Sequence, residues 1–147
     1  MRNHHRLLLA TAITLSLGMG AAHAQTAVTG LGQSSPNATD VSTNPAYHVY
    51  KFRKGSMTYI QVNDAFGNVR GAFSRTMTGD HYGMPVGSDA TNAATDIETL
   101  PAPASTAYTV VYQDGATVIA VAPQSDGTMR LMAAPVECKN PVECTSR

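Results

Sequence analysis

The stretch AYTVVYQDGATVIAVAP, residues 107–123, decides the fold: nearly every residue is β-branched, aromatic or small, and Asp114-Gly115 stands in the middle. β-Branched and aromatic side chains suit the pleated surface of a sheet, and Asp-Gly between two such runs signals a hairpin. A two-residue Asp114-Gly115 turn pairs Tyr112 with Thr117, Val110 with Ile119 and Tyr108 with Val121. That register gathers the apolar residues on one face and asks for a positive φ at Gly115. Asp126-Gly127 then turns the chain into TMRLMAAP and sets Met132 opposite Val121.

The same plan occurs upstream. In YHVYKFRKGSMTYIQV, residues 47–62, apolar residues alternate on either side of Arg53-Lys54-Gly55. A three-residue loop pairs Phe52 with Ser56, Tyr50 with Thr58 and His48 with Ile60, so that His48, Tyr50, Phe52, Ile60 and Val62 share a face. DAFGN leads into VRGAFSRTM, whose Val69 and Phe73 can join that face. The expected fold is therefore mainly β: two three-stranded antiparallel meanders, 47–77 and 107–134. Each has an apolar face that a lone small sheet cannot leave in water. The two pack as a small sandwich or a six-stranded barrel. The similar starts TYIQVNDAFG and AYTVVYQDG hint at an internal duplication.

Around this β domain, residues 47–134, lie three segments of other character. Residues 1–24, MRNHHRLLLATAITLSLGMGAAHA, combine basic Arg2 and Arg6, a short apolar run and an Ala-x-Ala ending, the pattern of a secretory signal. Cleavage after Ala24 leaves an exported chain, periplasmic or secreted, with no transmembrane anchor. Residues 25–46 are small, polar and punctuated by Gly and Pro, and read as a flexible leader. Residues 135–147 form a tail in which Pro-Val-Glu-Cys occurs twice. In an exported protein Cys138 and Cys144 are expected to form one disulfide closing a small ring.

Candidate chemistry concentrates in the long connection 78–106, because a loop of that length inside a compact domain is unusual. Within it, Ala93, Ala94, Ile97 and Leu100 can line a short helix stopped by Pro101. His81 has Asp80 beside it and Met77 and Met84 at i−4 and i+3. Thioether and imidazole ligands suit reduced copper, so Met77, His81 and Met84 are a candidate metal site. Against it, Met77 follows Phe73 in phase on the buried face of its strand, where packing claims the side chain. Asp80, Asp89 and Asp96 lack any recognised spacing for a hard cation.

A small hydrolase finds little support, since no Gly-x-Ser-x-Gly is present and His81 has no evident serine partner. No catalytic residue and no cofactor are assigned. Arg2 and Arg6 leave with the signal, so the mature chain is slightly acidic, and its basic residues are dispersed. Nucleic acid is not the expected partner. The outer face of the first meander offers Tyr47, Lys51, Tyr59, Gln61 and Asn63 as a polar and aromatic surface for a protein, peptide or glycan of the cell envelope. The function expected from these residues is a non-catalytic binding or structural module, with copper binding as the alternative.

Overall fold

The computed structural model describes residues 30–147; the signal segment 1–24 and the first residues of the leader lie outside them. The chain is mainly β, in two four-stranded sheets that do not close into a barrel. Strands β1 (Tyr47–Lys54), β2 (Met57–Asp64) and β3 (Val69–Arg75) run antiparallel, and β4 (His81–Met84) adds to β3. The second sheet has the order β5-β8-β7-β6. Here β6 (Thr109–Gln113), β7 (Thr117–Pro123) and β8 (Met129–Pro135) are antiparallel, and β5 (Ala93–Thr95) lies parallel to β8.

Both expected meanders are present, and each gains a strand from the connection 78–106. One joins antiparallel and the other parallel, so the sheets are not simple copies of each other. The expected helix across 93–100 is absent. Ala90–Asn92 make a single 3-10 turn, and Ala93 and Ala94 enter β5, where small side chains fit beside β8.

The first hairpin differs in register from the sequence expectation. Its loop is Gly55-Ser56, with Lys54 opposite Met57, so Phe52 faces Tyr59 and Val49 faces Val62. An odd change of register moves every side chain of one strand to the other face relative to its partner. Val49 therefore joins Ile60, Val62 and Phe73 in the core, in place of His48 and Tyr50. From the second sheet come Val111, Tyr112, Ile119, Val121, Leu131 and Ala133. The two apolar faces thus bury each other in a sandwich-like arrangement, burial being worth about 25 cal/mol per Å² of apolar surface.

The hairpin of residues 107–123 also departs from expectation, because Asp114 does more than occupy a turn. Its backbone N–H donates to the Thr117 carbonyl, and its carboxylate accepts from the N–H groups of Ala116 and Thr117. The loop is therefore Gly115-Ala116, and Gly115 does not take a positive φ. A bulge between Val110 and Tyr112 sends Val110 to the far side, against Ala120, Ala122 and Met132. At the following turn Met132 faces Ala120, and Leu131 takes the expected place opposite Val121.

Both flanking segments pack on the sheets. Within the segment read as a flexible leader, residues 40–43 bridge the free edges of β1 and β6: Val41 N–H donates to Val49, and Thr43 N–H donates to Val111, the bulge residue. In the tail, the Cys138–Cys144 disulfide is formed, and the one-turn helix α1 (Pro141–Cys144) sets Val142 against Ala120, Ala122 and Met132. Asn140 caps this turn by accepting from Val142 N–H.

Close approach of the sheets depends on Gly71 in β3. A Cβ there would overlap Leu131 Cδ1, the tip of a fully buried side chain that would have to shift. Gly71→Ala is expected to cost about 1–3 kcal/mol by overpacking. Adding Leu131→Ala removes the clash, so urea unfolding should show the double variant more stable than the sum of the single losses; strict additivity would refute the contact.

Candidate functional site

The five residues expected on one outer face are divided by the register of the first hairpin. Tyr47 packs against the core, and Lys51 turns inward to Asp114 at 2.7 Å. Gln61 and Asn63 do point outward from β2, yet both are fully buried, because residues 32–34 lie across them. Gly32 N–H donates to Gln61 Oε1 at 2.6 Å, Gln61 Nε2 donates to the Gln33 carbonyl at 2.8 Å, and Asn63 Nδ2 donates to the Ser34 carbonyl at 3.0 Å. Amides on a sheet face satisfy a crossing backbone in this way, as buried polar groups must be satisfied. Tyr59 is left half-buried on that face.

Met77, His81 and Met84 are also dispersed. Met77 lies in the β3–β4 turn and is 79 % exposed, not on the buried face of β3. His81 and Met84, three apart on β4, alternate to opposite faces. Both ring nitrogens of His81 are engaged: Nδ1 lies 3.0 Å from Asp96 Oδ1 and Nε2 lies 3.0 Å from Thr117 Oγ1. A carboxylate only accepts, so Nδ1–H donates to Asp96, and Nε2 accepts from the Thr117 hydroxyl. Among the described residues no group of three or more His, Cys, Asp or Glu is placed to hold a metal ion.

The line Asp96, His81, Thr117 has the connectivity of a carboxylate, base and hydroxyl set for nucleophilic catalysis. Its exposure runs the wrong way for that use. Asp96 is 22 % exposed and faces a polar hollow with Arg75, Asp80 and Glu137, whereas His81 and Thr117 are each 1 % exposed. A nucleophile needs its hydroxyl open to the substrate and its orienting acid sheltered. What the set does accomplish is a tie from β4 to β7 and to the chain after β5.

Beside it lies a second polar tie between the sheets. The Asp114 carboxylate accepts from Lys51 Nζ and the Tyr112 hydroxyl as well as from two backbone N–H groups. Burial by itself raises its pKa, but these donors outweigh burial and hold the carboxyl well below the usual carboxylate range. Lys51 Nζ also sits 5.8 Å from the centre of the Tyr112 ring.

Where the free edges of β4 and β5 meet, the connection forms a groove of about 510 Å3. Its lining is mostly apolar, with Met84 and Pro85, Ala90 and Ala93, and Ile97 and Leu100, and it also includes the charged Glu98 and Arg147. Glu98 reaches across to accept from Gly83 N–H at 2.8 Å, satisfying an outward donor of the β4 edge. Ile97, 51 % exposed, is among the large apolar side chains most open to solvent. Sequence reading placed Ile97 and Leu100 on one apolar side; Arg147 and the pairing of His81 with Asp96 and Thr117 carried no local signal. No family model, curated protein or solved structure matches the chain.

Burial lowers the His81 pKa below the ordinary histidine value, against the opposing pull of Asp96. In the unfolded chain the imidazole titrates near 6.5, so below that pH the unfolded state binds more protons and stability falls. Aspartates with lowered pKa, such as Asp114 and Asp40, add their losses only at more acid pH. Urea midpoints should therefore decrease from about pH 7 to about pH 5, and His81→Gln should flatten that slope; an unchanged slope would show that the imidazole is not the titrating group.

Proposed function

We propose that this chain is an exported, non-catalytic binding module that takes up an apolar segment of a partner in the groove between β4 and residues 97–100. One observation carries this reading: two sheet edges converge on a concave, mostly apolar surface built by the connection, with a carboxylate and a guanidinium among its lining groups. Apolar concavities with few convergent polar groups are the usual form of ligand sites. An extended peptide with apolar side chains fits such a groove, its backbone meeting polar groups at the rim. Export follows from the signal pattern of residues 1–24.

The reversed exposure of Asp96 and Thr117 supports a non-catalytic role, since the hydroxyl is sealed beneath the sheet. The polar ties then serve to hold the two sheets, and the groove offers an apolar opening. The other edges, of β1 and β6, are already bridged by residues 40–43.

Panning random heptapeptides on the purified protein tests this reading. Selected peptides should be rich in apolar residues and should lose about tenfold or more in affinity for Ile97→Asp. Ile97 is half-exposed, so that substitution leaves the fold intact. Phe66→Ser, at the exposed tip of the β2–β3 turn, should bind as the unaltered protein does. Peptides that bind Ile97→Asp equally well would place the binding surface elsewhere.

A further inference from the structure

The tail forms part of the groove's support, and the disulfide holds the tail. Beyond Cys144 the chain runs beside residues 99–101: Leu100 N–H donates to the Thr145 carbonyl, Arg147 N–H donates to the Leu100 carbonyl, and Arg147 Nη1 donates to the Thr99 carbonyl. Leu100 and Ser146 form a parallel bridge. Thr99, Leu100 and Arg147 all line the groove. Immediately before this strand-like end stands a single helical turn, too short to be stable by itself. It is kept in place by Val142 and by the ring that Cys138 and Cys144 close.

The disulfide lies beside a surface hollow. Both cysteines are half-buried, outside the two sheets. Cys138 contributes to the wall of a hollow of about 320 Å3 that also includes Tyr108, Val110, Val118, Lys139 and Pro141. This hollow, of mixed polar and apolar lining, offers a place beside Cys138 for a reductant to rest, and Lys139 puts a cation next in sequence to the sulfur under attack.

We propose that the Cys138–Cys144 disulfide is a redox switch that holds one wall of the groove when oxidised and releases it when reduced by a protein dithiol. The reductant's thiolate attacks Sγ of Cys138 and forms a mixed disulfide, while the electron pair of the broken S–S bond leaves with Cys144 as a thiolate. The reductant's second thiolate then attacks its own sulfur in the mixed disulfide and frees Cys138. Two electrons pass to the chain, both cysteines take up protons to become thiols, and the reductant is left as a disulfide. With the ring open, the helical turn keeps only Val142 and the buried Thr145 as its hold, and the pairing of residues 145–147 with Thr99 and Leu100 loosens. The core strands are untouched, because the ring spans neither sheet.

The proposal gives a regulation to the binding reading above and rests on it, but its test needs no ligand. Amide hydrogen exchange of the full mature chain is measured by NMR in oxidised form, in dithiothreitol, and after reoxidation. Reduction should speed exchange at Leu100 and Arg147 by about tenfold or more, leave Ile119 and Val121 unchanged, and reverse on reoxidation. Cys138→Ser with Cys144→Ser should match the reduced protein. Unchanged exchange at Leu100 and Arg147 would overturn the switch, as would equal acceleration of Ile119 and Val121. Failure of peptides to bind the oxidised protein would instead strike the groove reading alone.

Discussion

One buried carboxylate ties the two sheets together. Asp89, in the middle of the connection, is 2 % exposed and pairs with Arg70 of β3, Oδ2 lying 2.6 Å from Nε. Its other oxygen accepts from the N–H of Met129, the first residue of β8, at 3.1 Å, and its own N–H donates to the Arg70 carbonyl. A single side chain therefore touches both sheets. A charge so buried is tolerable only with its partners in place, and removing one partner leaves an uncompensated ion. The geometry also dictates Gly87, where φ is +96° and a Cβ would strike the Arg70 backbone. From this point the connection can place β4 on one sheet and β5 on the other.

Polar and apolar work are divided between neighbouring groups. Lys51 with Asp114, and His81 with Asp96 and Thr117, bind sheet to sheet through satisfied polar groups, which add specificity to an otherwise non-directional core. Farther along β4, with β5 and residues 97–100, the chain leaves an apolar groove braced by the C-terminal strand-like segment. Residues 32–34 cover the outer face of β2, so the amides Gln61 and Asn63 serve the chain's own backbone. A surface that appears open in one sheet considered alone is thus interior in the whole chain.

The strands were legible from sequence because period-2 alternation and turn residues are local. The stretch 107–123 is a hairpin, and both meanders occupy their expected places. Register was less legible. It depends on whether the first loop holds two residues or three, and Gly55 suits both, so the faces of β1 are reversed relative to the sequence expectation. At Asp114 the carboxylate, not Gly115, builds the turn, and four hydrogen bonds to one side chain leave no mark in an Asp-Gly pair. Partners of His81 stand 15 and 36 residues away, distances at which no spacing rule operates. The connection was legible as unusual by length alone; that it supplies a strand to each sheet follows from tertiary packing.

The connection is welded into the fold through Asp89 and is no loose loop between two meanders. Urea unfolding of Asp89→Ala tests this most directly. A loss of about 1–3 kcal/mol is expected, the cost of leaving the Met129 N–H and the Arg70 guanidinium without their acceptor, in a single cooperative transition. A loss within about 0.5 kcal/mol, the range of ordinary surface substitutions, would contradict it.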